Sequence, residues 1–209
     1  MRDAQELADR TADAAVSQPE LLAKGYRDYW RYRLALRTAG GATMTQERDI
    51  LLAGKVVIVL PIDLARDEII LLRQFRLPAH LANNKGDVIE FVAGRVESNE
   101  TLIEAARREC REEIGVAPRD VIELCSYLTS AGLTDEEVTF FLAAVDASQI
   151  REGAYTTPDG EQLVVLRVTV DAALAALARG GMHSSLTIIA LQWLALNRGR
   201  LAELLGAAR

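Results

Sequence analysis

From Tyr29 onward the chain alternates: Trp30, Tyr32, Leu34 and Leu36 interleave with Arg31, Arg33 and Arg37. A period of two predicts a half-buried strand, and Gly40-Gly41 supplies a turn into a returning strand over Thr43–Leu51. Lys55 followed by the apolar run Val56-Val57-Ile58-Val59-Leu60 reads as a buried strand. A turn at Ala65-Arg66-Asp67 leads into a second strand over Glu68–Phe75. Residues 76–86, which include Pro78, read as a loop, and residues 87–92 as one short strand that delivers the chain to Gly94. Further strands are predicted over 121–129, 138–145 and 162–168, with a loop over 147–160. Two helices, Val170–Ala178 and Ser185–Asn197, and a short tail helix finish the chain. Residues 2–25 read as a polar helical segment with a break near Ser17-Gln18-Pro19.

Between these strands lies one long helical stretch, GRVESNETLIEAARRECREEIGV, residues 94–116, which closes on Gly115 as a C-cap. Leu102, Ile103, Ala106, Cys110 and Ile114 make its apolar stripe. Glu109, Glu112 and Glu113 fall within about 100° of the helix circumference, at the border of that stripe. Carboxylates at these spacings repel and weaken an isolated helix. A solvated acidic face is the ordinary explanation; a hard divalent cation such as Mg²⁺, which prefers oxygen ligands, is the alternative that suits carboxylates beside a core. Strands on both sides of one long helix, with more helices at the end, predict an α+β fold. The mixed order suggests an α/β sandwich, not a doubly wound parallel sheet, with an N-terminal helical segment and an antiparallel β-layer. Residues 1–54 are expected to form that N-terminal region and 55–209 the main domain.

Composition narrows the function classes. The chain has 209 residues, half of them apolar, enough for a sizeable core. Its net charge is −6, which argues against general nucleic-acid binding. The arginines and aromatics of residues 29–37 could form a stacking platform, but in so acidic a chain a sheet face packed on a neighbour is the expectation, with no nucleic-acid partner. Two cysteines, Cys110 and Cys125, sit in apolar segments and read as buried thiols in a reducing compartment. MRDAQELADR lacks the apolar core of a signal peptide, and no run reaches transmembrane length. The expectation is a cytoplasmic protein with no membrane partner. His80 and His183 are isolated in sequence, and no P-loop, dinucleotide glycine motif or serine elbow is present.

The spacing Gly94, Glu100, Arg108-Glu109, Glu112-Glu113, Gly115 resembles the signature of the Nudix hydrolase family. Seven fixed identities recur by chance on the order of once in 10⁸–10⁹ start positions. Cys110 stands where members more often carry an aliphatic residue. The flanks resemble the branch of ADP-ribose pyrophosphatases and related nucleoside diphosphate sugar hydrolases. Glu90-Phe91-Val92-Ala93-Gly94 is similar to its lead-in, Gln74-Phe75-Arg76 to its strand end, and Ile188 to Leu194 to its final helix. The likeness covers roughly residues 29–197.

The resemblance implies a Nudix-type α/β/α sandwich with a mixed sheet, and a homodimer in which an N-terminal β-layer, here Trp30 to Leu36, is exchanged between subunits. It also implies a metal site: Glu109 and Glu113 holding Mg²⁺ (Mn²⁺ as a substitute), joined by the Ala93 carbonyl, with Glu112 as a further ligand or water support. Arg108 would orient the glutamates, and Glu100 would act from the helix start. Arg76 and Glu90 would contact the nucleoside or ribose-phosphate part of the substrate, with Arg73 a weaker candidate. In the loop 157–162, Glu161 is implied as metal ligand or base and Asp159 as the other acidic position.

Where the branch shows Ser-Pro-Gly this chain has Ser130-Ala131-Gly132, a departure that bears on sugar specificity. The implied activity is hydrolysis of ADP-ribose to AMP and ribose 5-phosphate, or of a related sugar nucleotide such as GDP-mannose. A Nudix-fold sensor that binds such ligands without cleaving them is the other class, and its mark would be a decayed glutamate set. Here the set is intact.

Overall fold

Period-two apolar alternation and continuous apolar runs fold, among the described residues, into twelve strands, and the helical stretches into helices that flank them. The computed structural model describes residues 7–158 and 160–206. It divides into two units, one running up to Ala53 together with Ser130–Asp135, the other Gly54–Thr129 with Glu136–Arg209.

The first unit is a four-stranded antiparallel sheet. Strand β3 (Tyr29–Arg37) pairs along its whole length with β4 (Thr43–Leu51), as the alternation predicted. Its other edge is shared by two short strands, β1 (Ala14–Val16) and β2 (Glu20–Ala23). The helix expected over 2–25 is therefore corrected for the described part: residues 14–16 and 20–23 are strands, while residues 2–6 lie outside the described residues. The open edge of β3 supplies the pairing that this weakly helical segment takes instead, and Ser17-Gln18-Pro19 is the joint between the two strands. The polar face of β3 carries ion pairs from Arg31 to Asp49 at 2.7 Å and from Arg33 to Glu47 at 2.8 Å. These pairs are exposed enough that they fix register more than they add stability.

The second unit is an eight-stranded mixed sheet in which only β5 (Lys55–Asp63) and β10 (Glu137–Ala144) run parallel. Strands β5 and β6 (Glu68–Phe75) pair only at their turn end, Ile62 to Ile69 and Asp63 to Glu68. Beyond it they splay into a fork. Strand β7 (Asp87–Glu90) enters the fork along β6 and β8 (Val92–Arg95) leaves it along β5, with buried Phe91 at the apex. The single strand expected over 87–92 is thus two strands broken at Phe91. The remaining order places β11 (Gly153–Thr156) and β12 (Gln162–Thr169) beyond β6, and β9 (Val121–Leu128) beyond β10.

Alternation along the buried strands sorts the core into two layers. Val57, Val59, Ile70, Leu72 and Phe141 face α2 (Leu102–Ile114). Ile58, Leu60, Leu71, Phe140 and Leu142 face α3 (Val170–Ala178), α4 (Ser185–Asn197) and α5 (Leu201–Gly206). The α/β/α sandwich read from the sequence is the fold observed. None of the described helices is long and apolar enough to cross a membrane.

Several local expectations are corrected. Residues 76–86 are not all loop: Leu77–Asn83 is a helix, α1, with Pro78 in its first turn, where a proline costs no hydrogen bond. Asn84 closes it in the left-handed conformation at φ 60°. The loop 147–160 contains a 3₁₀ turn, Ala147–Gln149, and the edge strand β11. Cys125 is exposed, because β9 is an edge strand and its outward positions meet solvent. On α2, Ile103 is 40% exposed and Ala105 is fully buried in its place. Small alanines let the helix sit close to the sheet, and Ile103 points off that contact.

One buried acid anchors the hairpin end of the fork. Asp63 is 4% exposed and accepts from the N–H groups of Ala65 (3.0 Å), Arg66 (3.2 Å) and Ala147 (2.9 Å) and from the Arg66 guanidinium (2.8 Å). Burial alone would push its carboxyl up, but the Ala147 N–H and the Arg66 contacts outweigh it and hold it below the usual carboxylate range. A depressed carboxylate stabilises the fold above its unfolded pKa, about 3.9, and loses that contribution as pH falls through its lower folded value. Asp63→Asn turns one acceptor oxygen into a donor facing other donors. It should cost about 2–3 kcal/mol at neutral pH. Urea unfolding at pH 7 and pH 3 checks this, with the gap between variant and wild type closing at the acid end.

Candidate active site

Helix α2 starts at a capping box. The Thr101 side chain accepts from Glu104 N–H at 3.3 Å, and the Glu104 carboxylate accepts from Thr101 N–H at 2.8 Å. Gly115 ends it in the left-handed conformation. These caps fix which residues lie over the paired strands β5 and β8, and they place Glu109 and Glu113 against them, 8% and 6% exposed. Glu112 is turned toward solvent, its side chain 39% exposed.

Arg108 ties the glutamates together. Its Nη1 donates to Glu109 Oε1 at 2.7 Å and to Glu112 Oε2 at 2.9 Å. Its Nε and Nη2 grip both oxygens of Glu100 at 3.0 and 2.7 Å, and Nη2 also donates to the Arg95 carbonyl at 2.9 Å. Such a bidentate grip specifies orientation as well as charge. Glu100 is in turn held by the Glu97 N–H at 2.9 Å, and the Arg108 hydrogen bonds draw its carboxyl below the usual range. Glu100 thus supports the site by fixing Arg108.

Glu113 has no such cation. Its one hydrogen bond among the described residues comes from the Ala93 N–H, 3.1 Å from Oε2. Burial pushes its carboxyl well above the ordinary range, the charge of Glu109 adds to that, and the Ala93 N–H opposes it. Glu109 is raised as well, mainly by burial and against the pull of Arg108. Of the two buried carboxylates only Glu109 pairs with a guanidinium, one that Glu100 and Glu112 also share, so negative charge is left uncompensated. An oxygen-ligating divalent cation fits that donor set. Among the described residues no three His, Cys, Asp or Glu side chains already converge on one point, because Arg108 draws Glu109 and Glu112 to itself.

Glycine at 94 makes this packing possible. A Cβ built there would overlap the Glu109 carboxyl, so the carboxylate lies against bare backbone of β8.

The fork brings the other groups to the same face. Arg76 Nε donates to Glu90 Oε2 at 2.9 Å, and burial raises Glu90 despite that partner. Glu161 lies just before β12, in a turn closed by Thr157, whose Oγ1 accepts from Glu161 N–H at 2.9 Å. Its carboxylate accepts from Gln74 Nε2 at 2.8 Å, and its charge is felt at both Glu90 and Glu113. Asp159 lies outside the described residues. The residues brought together are thus Arg76, Glu90, Ala93, Arg108, Glu109, Glu112, Glu113 and Glu161. Arg73 is on the opposite face of β6 from Gln74 and pairs with Asp87 at 3.1 Å. Gln74 is a residue whose role sequence reasoning missed. It is buried and polar on a strand, and that combination is the signal that could have found it.

Cys110, fully buried in the α2 layer, has its thiol pushed far up by burial and offers no nucleophile.

The arrangement has relatives. Residues 53–188 match the NUDIX domain family model. An ADP-ribose pyrophosphatase of Escherichia coli (strain K12) is 30% identical over 187 residues, 88% of this chain and 89% of that protein. A GDP-mannose pyrophosphatase of Pectobacterium atrosepticum is 30% identical over 170 residues, 79% of this chain and 87% of that protein. A crystal structure of an ADP compounds hydrolase superposes with a TM-score of 0.64 at 19% identity, covering 93% of this chain and all of that one. That likeness is one of fold. The family match, spanning the fork, α2 and the Glu161 turn, settles the lineage: this chain belongs to the NUDIX family, on the branch that holds those pyrophosphatases.

Proposed function

We propose that this protein hydrolyses the pyrophosphate bond of a nucleoside diphosphate sugar, with ADP-ribose as the first substrate to test and AMP and ribose 5-phosphate as products. The observation that carries the reading is the buried pair Glu109 and Glu113, short of positive charge and facing Ala93, with Glu161 and the Arg76–Glu90 pair on the same sheet face. GDP-mannose is the second reading, supported by the Pectobacterium relative, and Ala131, which departs from the branch's Ser-Pro-Gly, argues against strict ADP-ribose specificity.

A pyrophosphate diester resists attack because its negative charge repels nucleophiles, so catalysis is largely positioning and charge stabilisation. Glu109, Glu113 and the Ala93 carbonyl, with Glu112 or Glu161, would hold a divalent cation, magnesium with manganese as a substitute. Such an ion neutralises phosphate charge and lowers the pKa of water. The chain's own residues do the rest. Arg108 keeps Glu109 and Glu112 in register, and Arg76, its charge balanced by Glu90, holds the nucleoside or ribose-phosphate part. Glu161 would serve as a metal ligand or take the proton of the attacking water, with Asp159 as the other acidic position.

Incubation with Mg²⁺ and a panel of nucleoside diphosphate sugars, with released monophosphates quantified, tests this reading. Cleavage of ADP-ribose or GDP-mannose that stops on chelation is expected. Binding without cleavage of any of them would overturn it in favour of a sensor.

Gln74 would act through Glu161. Gln74→Leu removes the hydrogen bond that holds this carboxylate and should lower kcat roughly 10–100-fold, the usual effect of losing such a supporting partner. KM should change little; equal rises in KM with kcat intact would place Gln74 in substrate binding instead.

The N-terminal sheet is read as the dimer layer, since it presents Val16, Leu21, Leu22 and Met44 to solvent. Light scattering should return the mass of a homodimer in a cytoplasmic-type buffer, and a monomer would overturn that assignment.

A further inference from the structure

The face of β6 that carries Arg73 and Phe75 turns away from Glu109 and Glu113, and it opens into a cleft of about 470 Å³ between β6–β7, α1 and the turn before α4. That volume is in the range of small-molecule sites, roughly 300–1,000 Å³. Its chemistry is unlike the rest of this acidic chain. Arg73, Lys85, His80 and His183 line it, and the one carboxylate among the described lining residues, Asp87, is already paired with Arg73 at 3.1 Å.

Lys85 Nζ lies 3.2 Å from His183 Nε2. An ammonium carries three protons and only donates, so this contact occupies at most one of them. Two ammonium protons remain for a ligand, with no carboxylate paired to Lys85 among the described residues. Beside them Phe75 is 60% exposed, and its ring leans on His80 at a centroid distance of 5.7 Å. This pair is built in: a Cβ at Gly86 would fall 2.6 Å from His80 Cβ and 2.7 Å from a Phe75 ring carbon, so only glycine lets the ring and the imidazole close over the strand.

We propose that this cleft is a second ligand site, separate from the carboxylate site, for an organic phosphate monoester with a ring. Its phosphate rests on Lys85 and His183, and its ring lies along Phe75. A compact ammonium is a good point-charge partner for a phosphate, and an exposed aromatic face accepts any flat ring.

Calorimetric titration of the full chain in EDTA with AMP, inorganic phosphate and adenosine tests the proposal. AMP should bind more tightly than phosphate, and adenosine weakest. In Lys85→Ala/His183→Ala, two exposed positions whose loss leaves the core untouched, AMP affinity should fall about tenfold or more. Turnover of any sugar nucleotide that the wild type cleaves should be unchanged, so a failure here is distinct from a failure at the carboxylate site. AMP affinity that survives the double substitution, or adenosine binding as tightly as AMP, would overturn the proposal.

Discussion

Glu113→Gln should lose turnover and gain stability at once. The side chain is nearly fully buried, beside a second carboxylate, and its only described hydrogen bond is from the Ala93 N–H. Burial and then Glu109 push its carboxyl upward, so holding a charge at this position costs the fold stability. Glutamine keeps an oxygen for the Ala93 N–H and removes the charge. Without added divalent ions the melting temperature should therefore rise. Activity should fall roughly a thousandfold, about 4 kcal/mol of transition-state stabilisation, because a neutral amide is a poor ligand for a hard cation. Melts in EDTA alongside steady-state rates give both readouts. Near-normal turnover, or stability falling in step with activity, would sink the assignment of Glu113.

Much of this site was legible because one helix carries it. Glu109, Glu112, Glu113 and Arg108 lie within six consecutive residues, and helical geometry alone places them together at the edge of the apolar stripe. The bounds of β3, β4, β6, α3 and α4 follow equally from local period. What period could not supply is which distant segments meet. Gln74 and Glu161 are 87 positions apart and touch only because β12 pairs with β6. The fork that lodges Phe91 is likewise a long-range pairing, and the residues around it read as one continuous strand. Arg73 was separable in principle, since alternation puts it opposite Gln74, but its place beside the Gln-aromatic-Arg motif obscured that. The strands at 14–16 and 20–23 exist through the free edge of β3, a partner invisible in a weakly patterned segment. Pro78 suggests a loop by composition, yet a proline in a first turn opens a helix as readily as it ends one.

Gly94→Ala adds one methyl group and should disable the site without unfolding the chain. Gly94 does not have a positive φ, so alanine can adopt its backbone conformation. The conflict is with Glu109, whose carboxyl fills the space where the new Cβ would stand. Glu109 has nowhere inexpensive to go. It is 8% exposed, and leaving its place breaks the 2.7 Å contact with Arg108, which also holds Glu112. Overpacking of this kind costs about 1–3 kcal/mol of stability. Displacing a catalytic group by ~1 Å costs roughly a hundredfold in rate, so activity should suffer far more than folding does. Gly199→Ala is the control, since nothing lies within 4 Å of a Cβ there. A double-mutant cycle with Glu109→Gln separates displacement of Glu109 from a general disturbance of β8. If Gly94→Ala acts through that carboxylate, the second substitution adds little to the first, whereas additive losses would show that the methyl group harms something else.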